Sequence, residues 1–232
     1  NNDLPLSFSD NWLPNRVVGL LGYKIENGAK KGAGATTITL GYVGQQGSPF
    51  SYFVAGDLNG DRVSNNDLIF VPKNGSDIKF APLVVGTRTY TEAEQQAAFE
   101  AYISQDKYLS TRRGQYAERN ASTIPMLHRF DLSVQQDFVV KVKGVNNSLQ
   151  VRIDILNFGN MVNKDWGVSQ RATNSAILSY SSTNTSGEPV YKYATQKNLD
   201  GTTSLLKDTY QWNSSVFDVW TAQLGLRYTF GN

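Results

Sequence analysis

The chain has 232 residues, no cysteine, 12% aromatic residues, 20 glycines and a formal net charge of +2. That length suits one large or two small domains, and zero cysteine excludes disulfide scaffolds, thiolate-held zinc and thiol catalysis. The near-neutral charge leaves no electrostatic footprint for nucleic acid, and no apolar run approaches the roughly 20 residues of a membrane helix or the make-up of a signal peptide.

Residues 1–15 are polar, carry Trp12 together with Pro5 and Pro14, and read as loop. Residues 16–24 are the first predicted strand. Val18 and Leu20 stand against Gly19 and Gly22, but Val17, Leu21 and Tyr23 are apolar too, so its faces stay unassigned. Residues 26–34 hold Asn27-Gly28, a strong turn dipeptide. The second strand is 35–45, with Ile38, Leu40 and Tyr42 on one face and Thr37, Thr39 and Gly41 on the other. A long connection, 46–127, contains a predicted helix from Thr91 to about Tyr108. Thr91 with Glu94 three residues on forms a capping box, and Ala97, Ala98, Phe99, Ala101, Tyr102 and Ile103 supply an apolar side.

The third strand is 128–140. Phe130, Leu132, Val134, Phe138 and Val140 alternate with Arg129, Asp131, Ser133, Gln135, Asp137 and Val139, and Gln136 is the polar break in the apolar row. A tight connection at 141–147 with Gly144 leads to a fourth strand, 148–157, with Leu149, Val151, Ile153 and Ile155 opposite Gln150, Arg152 and Asp154. A second long connection, 158–215, is rich in Ser, Thr, Asn and Tyr. The last strand, 216–230, sets Trp220, Ala222, Leu224, Leu226, Tyr228 and Phe230 against Val219, Thr221, Gln223, Gly225, Arg227 and Thr229. Such alternation marks a strand, because successive side chains point to opposite faces. The apolar row begins and ends with aromatics, as in a strand crossing about 25 Å of lipid between two aromatic girdles.

The five strands are joined by connections that alternate short, long, short, long. Outer-membrane barrels alternate short periplasmic turns with long extracellular loops, whereas soluble sandwiches have short loops at both ends. The expectation is an all-β fold, a transmembrane antiparallel β-barrel segment with the connections 25–34 and 141–147 periplasmic. The connections 46–127, with its short helix, and 158–215 would then be extracellular. A mean hydropathy of −0.38 does not oppose this, because half of each barrel strand faces a polar lumen. The chain opens N-N-D-L without methionine, and five strands cannot close a barrel, so a fragment of a larger protein is expected.

At the C-terminus, Gln223, Gly225, Tyr228 and Phe230 match the assembly signal read by the barrel-assembly machinery. Further resemblance lies in G-Q-Q-G-S-P-F-S-Y (44–52), G-D-L-N-G-D (56–61), N-D-L-I-F-V-P (66–72), H-R-F-D-L-S-V-Q-Q-D-F (128–138) and L-Q-V-R-I-D-I-L-N-F-G-N (149–160). In this order they resemble the C-terminal quarter of TonB-dependent outer-membrane transporters of the Bacteroidetes type, in the Oar-like and SusC/RagA-like groups. The resemblance covers most of the chain except 159–215. It implies the last five strands of a 22-stranded barrel with a plugged lumen, in the outer membrane of a Gram-negative cell. It also implies coupling to TonB–ExbB–ExbD through an N-terminal plug not contained in these residues, and a SusD-like surface lipoprotein as partner.

Asp57, Asn59 and Asp61 place oxygens at positions 1, 3 and 5 of a calcium loop. Position 12 is Leu68, with Asp67 one residue early, and Arg62 stands where the loop glycine belongs. The competing reading is an Asx-rich turn. Arg112, Arg113 and Arg119 cluster with Glu118 ahead of the third strand, either to meet an anionic ligand or as a solvated loop with weak ion pairs. Trp166 and Trp212, in or beside the second long connection, are candidates for stacking on a sugar, and Trp220 for the aromatic belt. His128 is the only histidine and has no nucleophile motif beside it. Asp131 and Asp137 lie about 20 Å apart at strand rise, too far for paired-carboxylate hydrolysis, so no enzyme is expected.

The expected function is uptake of a nutrient (glycan, peptide or chelate) across the outer membrane, with this chain supplying barrel wall and substrate-facing loops. The rivals are a passive or structural barrel, a soluble calcium-binding β-sandwich and a barrel hydrolase.

Overall fold

The computed structural model describes residues 6–26 and 34–231. Pro5 and the Asn27-Gly28 turn fall outside them. The chain is mostly β with antiparallel sheets, and among the described residues no helix is long and apolar enough to cross a membrane. It divides into two compact units. A sheet unit comprises 14–47, 125–170 and 212–232, and a connection unit comprises 1–13, 48–124 and 171–211.

The sheet unit is built on one five-stranded sheet: β1 (Arg16–Glu26), β2 (Gly34–Gln45), β3 (Leu127–Val142), β4 (Val145–Leu156) and β5 (Thr221–Thr229). Strand order in space equals strand order in sequence, and every pairing is antiparallel. The connection expected at 141–147 is tighter than that. Val142 pairs with Val145, leaving Lys143 and Gly144 as the turn with φ of 51° and 85°. Two positive φ values make a type I′ turn, whose twist matches that of the flanking strands.

Register decides the faces, because side chains opposite one another across strands share a face. Leu132 stands opposite Leu40 and Ile155, Val134 opposite Ile38 and Ile153, and Phe130 opposite Tyr42. Ile153, Val151 and Leu149 stand opposite Leu224, Leu226 and Tyr228. β1 follows, with Leu21 opposite Leu40 and Tyr23 opposite Ile38. Its apolar-face residues are therefore Val17, Leu21, Tyr23 and Ile25, while Val18 and Leu20 lie on the other face. Gly19 and Gly22 fall on opposite faces. The other face carries Asp131, Ser133, Asp137, Arg152, Asp154 and Arg227. Gln136 meets Thr36 across the apolar face, where Thr36 Oγ1 donates to its side-chain oxygen.

The apolar face stays open: Leu21, Leu224 and Leu226 are 70%, 66% and 71% exposed. Among the described residues β1 and β5 each have one strand partner, so each presents an unpaired edge.

The last strand begins at Thr221 rather than at 216. Asp218 is buried and accepts from Ser169 N (3.1 Å) and Ser169 Oγ (3.0 Å), which folds 216–219 into a turn. At the end of β4, Asn157 is fully buried in left-handed backbone (φ 53°). Its N–H donates to Asp131 Oδ1 (2.7 Å), and its Nδ2 donates to the carbonyls of Gly167 (3.0 Å) and Asp218 (2.9 Å).

The stretches expected as loops fold into the connection unit, which has its own core of Tyr52, Ile69, Phe99, Tyr102, Ile103, Leu109, Tyr193 and Leu206. Each of the Ile, Leu and Phe side chains among them contributes on the order of 1.5–3 kcal/mol on burial. A four-stranded sheet ties the two connections together, ordered Val54–Ala55, Leu178–Thr183, Pro189–Tyr193, Lys79–Phe80. The helix α1 (Glu92–Gln105) is capped as its sequence predicts: Thr91 Oγ1 accepts from Glu94 N (3.3 Å), and Glu94 Oε2 accepts from Thr91 N (2.8 Å). It stops at Gln105, short of Tyr108. Its buried face is Gln95, Phe99, Tyr102 and Ile103.

Candidate functional site: a polar cavity in the connection unit

Asp106, buried just past α1, shapes the segment that carries the arginines. Its Oδ1 accepts from the N–H groups of Tyr108 (3.0 Å) and Leu109 (2.8 Å), winding the chain into the short 3₁₀ turn Leu109–Arg112. Its Oδ2 accepts from Tyr52 Oη (2.6 Å) and Thr209 Oγ1 (2.7 Å), which anchors the turn to the core. Burial pushes the Tyr102 phenol beside this group up to about 12 and raises that of Tyr52 still further. Both hydroxyls therefore stay protonated and act as neutral hydrogen-bonding groups.

The turn leads into strand Gln115–Tyr116, which pairs with Phe70–Val71. Arg112 folds back on it: Nε and Nη2 donate to the Tyr116 carbonyl (3.2 and 2.9 Å), and Nη1 lies 3.2 Å from Glu118. Arg119 donates to both oxygens of Asp10 (3.1 and 2.9 Å). Asn120 holds that pair in place, with Nδ2 donating to Asp10 Oδ1 (2.7 Å) and to the Phe8 carbonyl (2.9 Å). The Asn120 amide and then Arg119 keep the Asp10 carboxyl below the usual carboxylate value.

Arg112 and Arg119 both line a cavity of about 770 Å³, with Ser51, Phe53, Asn66 and Tyr116 among its other walls. Small-molecule sites occupy about 300–1,000 Å³. Glu118 lines it too, and with Arg112 held to Glu118 and Arg119 to Asp10 the cavity offers guanidinium, carboxylate, amide, hydroxyl and aromatic groups to a polar ligand.

Arg113 is elsewhere. It forms a bidentate pair with Glu100 and also donates to Ser104 Oγ (3.1 Å). Glu100 in turn accepts from Gly75 N (2.8 Å), so this carboxylate fastens α1 to the turn at Gly75–Asp77 while Arg113 holds the carboxylate in place. Trp166 and Trp212 belong to the sheet unit and are 54% and 58% exposed; neither lines the cavity. Trp220 sits just before β5, its N–H directed to Asn160 Oδ1 (3.3 Å). His128 Nδ1 is 2.8 Å from the Tyr42 hydroxyl. In the terminal signal, Gln223, Gly225 and Tyr228 lie on β5, and Phe230 follows it with its ring 4.5 Å from that of Tyr228.

The segment 57–67 is a net of Asx turns. Asp57 accepts from Gly60 N (2.7 Å) and Arg62 N (2.9 Å), Asn59 from Asp61 N (2.9 Å), Asp61 from Val63 N (2.7 Å) and Asp67 from Leu58 N (2.8 Å). The Val63 N–H above all holds the Asp61 carboxyl below its usual value. Arg62 takes φ of 70° at the place where a calcium loop has its glycine. Among the described residues no group of three or more His, Cys, Asp or Glu is arranged to hold a metal. The loop reaches the cavity through Asn65 and Asn66, which line it.

Sequence reasoning overlooked Asp10, Ser51 and Asn120. Asn120 offers one signal, since asparagine is enriched in the left-handed backbone it adopts (φ 56°). The pairing of Asp10 with Arg119 spans over 100 residues of chain and leaves no local trace.

Compared with protein-family models, with characterised proteins and with solved structures, the chain matches none.

Proposed function

We propose that this chain is a C-terminal part of a TonB-dependent outer-membrane transporter of the Bacteroidetes type, which takes up a glycan, peptide or chelate. The observation that carries the reading is the register of the five-stranded sheet, which collects apolar side chains from all five strands on one open face. In water such a face is a liability for association; in lipid it is the required surface. Tyr42 and Phe130 lie toward one end of it, their rings 5.0 Å apart, and Phe138, Tyr228 and Phe230 toward the other. From Phe130 to Phe138 is about 27 Å along the strand, or about 20 Å across a membrane at barrel tilt.

The opposite face suits a wet lumen. Arg129 meets Asp131 (3.3 Å), Arg152 meets Asp154 (2.8 Å) and Gln150 donates to Asp137 (2.8 Å). Unpaired edges at β1 and β5 are not tolerated in lipid, so further strands would complete the wall. The barrel-assembly machinery would read the terminal signal. TonB–ExbB–ExbD would supply energy through a plug, and a SusD-like lipoprotein would cover the outer opening. The connection unit would stand outside the cell and meet the substrate.

These 232 residues hold no cysteine, so a cysteine introduced here is unique within them. The whole transporter carrying Leu224→Cys or Gln223→Cys, labelled with an environment-sensitive dye, is reconstituted in vesicles. Lipid-borne quenchers are expected to reach the dye at 224, and aqueous quenchers the dye at 223. Aqueous quenching of both would sink the membrane reading. A passive barrel passes this test too, so uptake by cells lacking TonB separates the two: a passive barrel keeps its uptake.

A further inference from the structure

The connection unit holds a second pocket, of about 460 Å³, on a different part of its core. Its floor is apolar: Val54, Ile69 and Leu178 are fully buried core residues that also line it. Aromatic wall comes from Phe70, which is 45% exposed, and from Tyr191. Four charged side chains also line it: Lys73, Lys79, Asp77 and Glu188.

Local structure explains why they gather. Lys79 lies on a short strand that runs parallel to Pro189–Tyr193, with Lys79 opposite Val190. In a parallel pair both segments enter from the same end, so Asp77 and Glu188 arrive together. Lys73 comes from beyond strand Phe70–Val71, its stem packed along Gly114.

These charges line one pocket without pairing. Among the described residues neither ammonium has a carboxylate within salt-bridge distance. Among the described residues Asp77 engages only Oδ2, with Asn74 N (3.1 Å), and Glu188 only Oε2, with Asn184 Nδ2 (2.9 Å). An anion alone would leave the carboxylates uncompensated, and a cation alone would leave the ammonium groups so. A sugar carries no charge and would leave both the ammonium and the carboxylate groups uncompensated.

We propose that this pocket binds a small zwitterion with an apolar or aromatic body, the chemistry shared by a free apolar amino acid and a short apolar peptide. The ligand carboxylate meets Lys73 and Lys79, its ammonium meets Asp77 and Glu188, and its apolar body lies on the floor beside Phe70 and Tyr191. The site rests on this pocket and not on the membrane reading, and its test measures binding alone.

Titration calorimetry on the full chain with L-phenylalanine, the dipeptide Phe-Leu, 3-phenylpropionate, phenethylamine and glucose provides the test. The two zwitterions are expected to bind, each single-charge analogue at least about tenfold more weakly, which is about 1.4 kcal/mol, and glucose not at all. The tighter of phenylalanine and Phe-Leu identifies the source. Lys73→Met with Lys79→Met is expected to weaken phenylalanine at least tenfold, and Glu188→Gln to weaken it while leaving 3-phenylpropionate no weaker. Unchanged thermal midpoints show that these exposed substitutions leave the fold intact. Equal affinity for phenylalanine and 3-phenylpropionate overturns the assignment. So does zwitterion binding that survives the double lysine substitution, or the absence of heat with every probe at millimolar concentration.

Discussion

Asn157 ties three other segments to the end of β4: its N–H bonds Asp131 on β3, and its side chain bonds the turns at Gly167 and Asp218. Gly167 has φ of 64°, and a Cβ there would stand 1.8 Å from Asn157 Oδ1. Gly167→Ala therefore combines left-handed backbone strain with a clash against a buried group. We expect a loss of about 2–3 kcal/mol, read from urea unfolding in micelles; a loss under about 0.5 kcal/mol would contradict this packing. Gln95 is the corresponding case inside α1. Its Nε2 donates to the Ala81 carbonyl (2.8 Å) and its Oε1 accepts from Tyr193 N (3.0 Å). Gln95→Leu keeps the volume and strands both backbone groups, so about 2 kcal/mol or more is expected, against near-neutrality if the site were simply apolar. This buried glutamine was illegible in the sequence, because both its partners are remote. Thr91 and Glu94 were legible, because a capping box is written within four residues.

At the scale of elements, α1 is fixed at its start by that box and along its length by Arg113. Thr91→Ala should cost about 1 kcal/mol of the connection unit's stability, measured by its thermal midpoint. Arg113 beside Glu100 holds the carboxyl below its ordinary value of 4.5. A depressed folded value means that stability from this pair is fully present above that ordinary value and is lost as pH falls through the folded one. The midpoint of the native chain should therefore drop between about pH 5 and pH 3 more steeply than that of Arg113→Met; equal slopes would show that the pair contributes nothing. The Asx net at 57–67 closes on its own N–H groups, so its turn should hold without metal. Calcium or a chelator should leave the midpoint unchanged, and a calcium-dependent rise would instead make the loop a metal site. The end of the last strand was legible from its alternation. Its start was not, because the Asp218–Ser169 bonds that bend 216–219 come from the far side of the second long connection.

For the whole molecule, the test of the apolar face is charge placed on alternate residues of one strand. On β5, Leu224→Arg should lower stability in a bilayer by about 2–4 kcal/mol, while Gln223→Arg should be close to neutral. Equal effects would mean that both sides of the sheet meet water. The five long strands of the main sheet, the apolar rows of β2 to β5 and the capped start of α1 were determined by the sequence alone. Each is set by a period of two residues or by a motif within one turn, and such patterns act between near neighbours. Only the tertiary structure decided the rest. β1 is apolar on both sides, so its face follows from Leu21 meeting Leu40. The two long connections read as polar loops, yet Tyr52 and Phe99 from one pack with Tyr193 and Leu206 from the other. Arg112 and Arg119 share a cavity while their neighbour Arg113 does not. These outcomes depend on contacts between residues far apart in the chain, whose free energies appear only when the segments are brought together.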